Sequence, residues 1–424
     1  LAHSWDVTND FTSYTFYLRD GVKFHNGDEL TAADVKATYE RAAFPAEGLG
    51  SSLKSIFDSA TLREINTPDD YTVEFKLEEG RSVGHLMAGF SAQNIKIVPK
   101  TYLEEYKGNL READPLVVSG SGPFIATERD DDHIVMDANL DYWNPNAPYI
   151  DRIDDIWIPL MSAQLTAAVA AGKVDWSMFI PPGDVPTLSQ VAGLNHATHI
   201  RPSYHVIPFN TTRPPFDDKR VRQAVALVFD QKAIIDAGSH VMGLIFGGGW
   251  FGQGQGAYEF TPAQLANEKY FRSPTPEDIA EAQQLLVDAG YPNGEGIPKL
   301  ELVGRGDSGP WWQIMLEVEQ AYLKQHLNID SEIRLTDAAG WSDDLAAGNF
   351  DIAAETNAGM SVPVPEYYIK KAFGQCGDTV CNNNFGYYKN LDLDARTRAL
   401  ELEGDADKRY ELSKELYEFL MDEM

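Results

Sequence analysis

Very little in this chain is spaced for covalent chemistry. The sequence holds no Gly-x-Ser-x-Gly elbow, no His-Glu-x-x-His pair and no Gly-x-x-x-x-Gly-Lys-Ser/Thr loop. The nucleophilic, zinc-hydrolase and phosphate-loop chemistries that those spacings serve therefore have no carrier. Gly247-Gly248-Gly249-Trp250-Phe251-Gly252 does match Gly-x-Gly-x-x-Gly. A dinucleotide fingerprint must open a helix, so that free N–H groups meet the pyrophosphate. Here the glycines run on through Gln253-Gly254-Gln255-Gly256 with no helical period, and the segment reads as a loop that carries two aromatic rings. His196, His199 and His205 cluster in ten residues. Imidazoles suit zinc, copper or nickel, but alternation along an extended segment sends His196 and His199 to opposite faces, so no metal site is expected. Asp130-Asp131-Asp132 and Asp154-Asp155 lack the alternate acids, central glycine and distal Glu of a calcium loop and read as solvated turns.

What remains is recognition without catalysis, and neither enzyme activity nor a cofactor is expected. Trp250-Phe251, Trp311-Trp312 and Trp341 fall at breaks between predicted elements, where loop-borne rings can wall a concave ligand site. Arg305 sits in a loop setting from which its fork could meet a carboxylate with two parallel hydrogen bonds. Cys376 and Cys381 enclose four residues. In an oxidising compartment they close a small disulfide loop; two reduced thiols are the alternative, and a metal site lacks partner ligands.

These residues need elements to position them. Tyr14, Phe16 and Leu18 alternate with polar neighbours and predict a strand, as do Val73, Phe75 and Leu77. Thr31-Ala32-Ala33-Asp34 is a capping box that opens a helix. Breaks near 120 (Ser119 to Pro123) and near 203 divide the chain into 1–118, a β-rich subdomain, 119–203, and 204–424, an α/β lobe. In the last part Thr275-Pro276-Glu277-Asp278 starts a helix that Gly290 stops. After it come a strand at 300–303, a helix at 314–327, a strand at 329–335, a helix at 341–347 and a strand at 351–354. That alternation predicts an α/β lobe with an open sheet. A last helix runs from Lys408 to about Met421.

Composition narrows the partners. The 424 residues include 65 Asp and Glu against 35 Lys and Arg, a formal net charge of −30. Polyanions need fixed positive charge, so nucleic acid and anionic membrane surfaces are poor partners. No apolar run approaches the ~18 residues that cross a bilayer. Leu1-Ala2-His3-Ser4-Trp5 lacks the basic start and apolar stretch of a signal peptide and does not begin with Met. Both ends read as cut from a longer chain.

Several stretches share one likeness. Tyr14 to Gly27 with Leu30 to Lys36, Gly122-Pro123-Phe124, Asn139 to Trp143, Ala171 to Asp175, Phe209 to Ala224 and Ala280 to Gly294 follow one another in order. Together they resemble the extracellular solute-binding proteins of ABC importers, in the dipeptide/oligopeptide/nickel-type family 5 branch. The resemblance implies a mixed α/β, two-lobed periplasmic binding protein-like fold with an extra β-rich subdomain. It also implies a ligand cleft between lobes that close on the solute, and no catalytic chemistry. Residues 1–118 and 119–203 would belong to lobe one, incomplete without the missing chain ends, and 204–424 to a nearly complete lobe two. The ligand would be a peptide or other small solute, the partners ABC permease subunits, the state a monomer. The location would be the periplasm, or the cell exterior on a lipid tether. Trp250, Phe251, Arg305, Trp311, Trp312, Trp341, Asn357 and Met360 would line the site.

One departure bears on the ligand. Peptide-binding members of the family tend to carry an acid shortly before an Asp-Pro pair, and it holds the peptide's amino terminus. The matching stretch here, Asn357 to Pro365, has no acid before Glu366. A buried ammonium would lack its counter-charge, which is costly. An oligosaccharide or a small carboxylated solute therefore competes with a peptide, and a chaperone or sensor role is a further alternative.

Overall fold

The computed structural model describes residues 1–46, 62–90, 95–110, 116, 119–159, 162–197, 204–242, 260–307, 310–357, 365–376, 379–380 and 384–423. The chain divides into two compact units. The first comprises Leu1–Ile158, Cys376–Thr379 and Arg398–Ala406, and the second Pro159–Gln375, Val380–Thr397 and Asp407–Met424. The division falls at 158/159, so residues 159–203, expected with the first lobe, group with the second unit.

The first unit is built on antiparallel sheets. β1 (Ala2–Val7), β2 (Ser13–Leu18), β3 (Leu62–Asp69) and β4 (Thr72–Leu77) form one sheet in the order β1-β2-β4-β3. Alternation in β4 sends Val73, Phe75 and Leu77 inward, all buried. Each such side chain contributes roughly 1.5–3 kcal/mol on leaving water. α1 (Ala32–Ala43) packs on this sheet. Its Thr31–Asp34 capping box is formed, with the Asp34 carboxylate accepting from the Thr31 N–H at 2.9 Å. α2 (Val83–Phe90) brings the Phe90 ring centroid 4.8 Å from that of Phe75, and Tyr39 of α1 lies 4.9 Å from Phe75 and 5.6 Å from Phe90, so the three rings form one cluster. After α3 (Lys100–Glu105), β5 (Phe124–Arg129), β6 (His133–Ala138) and β7 (Arg152–Ile156) make a second antiparallel sheet in chain order.

The second unit begins with α4 (Ala163–Ala170) and α5 (Val185–Leu188). β8 (Tyr204–Val206), α6 (Lys219–Val228), α7 (Gln231–Met242), α8 (Pro262–Asn267) and α9 (Pro276–Asp288) follow. Then come β9 (Leu300–Arg305), α10 (Trp311–Leu327), β10 (Ser331–Thr336), α11 (Ala338–Ala347), β11 (Ile352–Ala353) and β12 (Glu355–Asn357). β10, β9 and β11 form a parallel sheet in that order, and β12 pairs antiparallel with β8. α12 (Pro365–Phe373), α13 (Leu391–Leu402) and α14 (Ala406–Glu423) complete the elements used below.

The alternation of strands and helices predicted for 300–354 is present. Thr275 caps α9 through a capping box with Asp278, and Gly290 follows in the left-handed region at φ +92°. Two helix starts differ: α10 begins at Trp311 and α11 at Ala338, each three residues before the predicted 314 and 341. The unit's core lies between this sheet and α6, α9 and α10, around Phe216, Val225, Leu286, Leu302, Leu316 and Leu323. Among the described residues no helix is long and apolar enough to cross a membrane.

Candidate functional site

The parallel sheet sets the site. Arg305 and Thr336 are register partners at the carboxyl ends of β9 and β10. Crossover helices leave a crevice outside such strand ends, which is where ligands settle in open α/β sheets. α10 and α11 both start from this edge, and each brings a tryptophan to it.

Close packing explains how. Gly304 has no side chain because none fits: a Cβ there would lie 2.8 Å from Leu316 Cδ1, 3.5 Å from Leu335 Cδ2 and 3.6 Å from Trp312 Cε3. α10 therefore lies directly against β9, with the Trp312 ring over the strand's end. Asp337 caps α11, accepting from the Gly340 N–H at 2.8 Å. Its main-chain carbonyl accepts from the Trp341 N–H at 2.9 Å. This fixes Trp341 one turn into the helix, with its ring centroid 5.8 Å from that of Trp312 at 65°.

Charge at the edge is paired. Arg305 Nε donates to Asp307 Oδ1 at 3.0 Å, and Asp307 Oδ2 accepts from the Ala338 N–H at 3.0 Å. The Arg305 guanidinium, working against desolvation, holds the Asp307 carboxyl below the usual carboxylate range, with further help from the Ala338 N–H. Arg334 of β10 bridges Glu301 of β9 and Asp344 of α11. The uncharged donors are different. Among the described residues, Trp312 Nε1, Trp341 Nε1 and Thr336 Oγ1 are buried without a hydrogen-bond partner.

The structure brings Arg305, Trp312 and Trp341 together at one edge. It places the tryptophan pair differently from the loop position expected. Trp311 and Trp312 open a helix and are 3% and 1% exposed, filling the core, their rings 4.4 Å apart. Gly304, whose missing side chain leaves room for Leu316 and Trp312, lets the start of α10 lie against β9. Asn357 ends β12, opposite Tyr204. Trp250, Phe251, Met360 and Cys381 lie outside the described residues, and with Cys381 so does the disulfide expected with Cys376. Of the histidine cluster, His196 is exposed and His199 lies outside the described residues. Among the described residues no group of three or more His, Cys, Asp or Glu is placed to hold a metal ion.

Sequence reasoning missed two participants at this edge, and it did not foresee the buried partner of Glu366. Thr336 and Asp307 owe their place to strand register, which single residues do not announce. Glu366 is fully buried, with Oε1 accepting from Arg409 Nη2 at 2.7 Å. A Pro365-Glu366 helix start is a visible signal, but its partner is 43 residues away.

The family model described as bacterial extracellular solute-binding proteins, family 5 Middle, matches residues 1–379. Di/tripeptide-binding protein 3 of Pseudomonas aeruginosa is 28% identical over 449 residues, spanning 100% of this chain and 79% of that protein. Two solved structures share the fold across 100% of this chain. The periplasmic binding protein DppA of Helicobacter pylori, in complex with the peptide STSA, matches with a TM-score of 0.82 at 23% identity over 81% of its length. The oligopeptide-binding protein AppA of Bacillus subtilis, in complex with a nonapeptide, matches with a TM-score of 0.78 at 23% identity over 82% of its length.

Proposed function

Because the chain belongs to the bacterial extracellular solute-binding proteins, family 5, we propose that it captures a peptide outside the cytoplasmic membrane and hands it to the permease of an ABC importer. The family match over residues 1–379 carries this reading, since it reaches into both units. Peptide is the solute class in the names of the Pseudomonas, Helicobacter and Bacillus proteins it resembles.

The local chemistry is consistent with binding rather than turnover. The edge of the β9–β10 sheet offers the partly buried Trp341 ring and a compensated Arg305–Asp307 pair. Such a set orients a solute and leaves its bonds intact. The protein acts as a monomer in the periplasm, or on a lipid tether at the outer face of a single membrane, and performs no catalysis.

Isothermal titration of the full-length protein tests this. The panel comprises di-, tri- and tetrapeptides, glutathione, opines and oligosaccharides. Saturable binding of one peptide per chain, with the peptide recovered intact, supports the reading. Silence toward every peptide, with saturable binding of a sugar, overturns the peptide class.

A further inference from the structure

The loop between β6 and β7 in the first unit is firmly anchored, yet it shows apolar side chains to water. Its ends meet where the Ala138 N–H donates to the Asp151 carbonyl at 2.8 Å. Compact surface loops of roughly 6–16 residues whose ends close in this way are frequent sites of function. Buried Asn139 locks the first turn. Its Nδ2 donates to the Gly122 carbonyl at 2.9 Å, and its Oδ1 accepts from the Asp141 N–H at 3.0 Å. The Arg19 guanidinium lies 4.4 Å over the Trp143 ring, and Asn144 Oδ1 accepts from the Asn146 N–H at 3.1 Å. On this frame Leu140 is 95% exposed, Tyr149 92% and Ile150 54%. Each lies within two residues of the closing hydrogen bond, so within roughly 7 Å of it along the chain. A lone exposed apolar residue is ordinary, but a group of them at the neck of one loop marks an interaction site. Anchoring the loop beforehand removes the ordering cost that a flexible one would add on binding.

Charge selects the partner. Asp141 and Asp151 flank the patch, and no Lys or Arg lies between them. Asp141 is 74% exposed, and its contact with Lys23 is a long 3.9 Å. Arg152, the next residue along, is engaged by Glu128 at 2.9 Å and by Asp137 at 3.6 Å. An anionic lipid surface would face these acids on a chain of net charge −30 and be repelled. A second copy docked by a twofold would set the same acids against themselves. A protein surface with an apolar pocket rimmed by Lys or Arg complements both the patch and its acids.

We infer that the β6–β7 loop is a docking site for the permease. Leu140 and Tyr149 enter an apolar pocket on the permease's outer face, and Asp141 and Asp151 meet basic groups at the pocket's rim. This rests on the import reading above and adds to it the surface by which the protein is recognised.

The test uses full-length protein and the permease–ATPase complex of its importer in phosphatidylcholine nanodiscs. Biolayer interferometry reads affinity for the complex, calorimetry reads peptide affinity, and the melting temperature reads folding. Leu140→Ser with Tyr149→Ser should weaken binding to the complex about tenfold or more, with peptide affinity and melting temperature unchanged. Asp141→Lys with Asp151→Lys should weaken it about fivefold or more, and binding of the natural protein should fall as salt rises. If either double variant binds the complex as the natural protein does, the inference is overturned while the import reading stands. If the natural protein binds peptide but not the complex, the inference and the delivery step are both overturned, and peptide capture stands. If Leu140→Ser with Tyr149→Ser instead abolishes binding to empty phosphatidylglycerol nanodiscs, or a dimer seen in sedimentation, the patch belongs to lipid or to a second copy and the inference is overturned. If that variant lowers the melting temperature, or a crystal of the full-length protein shows other chain covering Leu140 and Tyr149, the patch belongs to the core and the inference is likewise overturned.

Discussion

Arg409 of α14 and Glu366 at the start of α12 form a buried ion pair, with Nη2 2.7 Å from Oε1 and side chains 11% and 0% exposed. Glu366 is the first acid after the stretch where peptide-binding relatives are expected to place their ammonium anchor, and this contact commits it to the fold. Removing one partner leaves a buried charge uncompensated. Glu366→Gln or Arg409→Met alone should lower stability by about 3–5 kcal/mol, and Glu366→Leu with Arg409→Met should recover most of it. Urea unfolding of the single and double variants checks this; additive losses would refute the pairing.

Glu319 gives the second unit a pH dependence. It lies on the buried face of α10, fully buried, with neither carboxylate oxygen hydrogen-bonded. Burial pushes its pKa up to about 8 from an ordinary 4.5. The folded state therefore binds its proton more tightly than the unfolded chain does. Stability from this group is full below pH 4.5, falls as pH rises to about 8, and is level beyond. The loss across that window is on the order of 4–5 kcal/mol. Glu319→Gln should flatten the slope in denaturant midpoints measured from pH 5 to 9. A slope unchanged by the variant would show that Glu319 does not titrate in that window.

Asp278 acts in the opposite sense. Burial works against its charge, but the Arg272 guanidinium and the Thr275 N–H and hydroxyl prevail and lower its pKa to about 2. Its stabilisation is present above pH 3.8 and lost as pH falls toward 2. Asp278→Asn should weaken α9's anchoring by about 1–3 kcal/mol at pH 7 and remove the acid-side dependence. Thr275→Ala, which deletes the cap alone, should cost about 0.5–2 kcal/mol. Thermal unfolding at pH 7 and pH 3 separates the two effects.

The elements that came from local signals were legible in the sequence. Val73, Phe75 and Leu77 alternate because a strand's faces alternate, and Thr31 and Thr275 cap because a hydroxyl and an acid three residues on satisfy the same turn. The start of α10 was not legible. Gly304, on the preceding strand, leaves room for Trp312 and Leu316 of this helix, and no neighbour in sequence says so. Glu319 was readable in principle, since it falls in step with Trp312, Leu316 and Leu323 on one helix face. The site's donors became visible only once register set Thr336 beside Arg305.

The two site tryptophans should differ in what they cost. Trp312 is a core side chain, so Trp312→Ala should destabilise the protein by about 3–5 kcal/mol. Trp341 is only partly buried, and Trp341→Ala should cost less while weakening solute binding more than tenfold. Chemical denaturation beside calorimetric titration checks both. Equal stability losses with unchanged affinity would assign both rings to the core alone.

Native mass spectrometry of the full-length protein, incubated with an equimolar mixture of short peptides and oligosaccharides, tests the central claim most directly. The account predicts one peptide-sized mass increment per monomer, removed on gentle activation as an intact peptide. A protein that stays bare in the peptide mixture, or takes up only sugar, would contradict it.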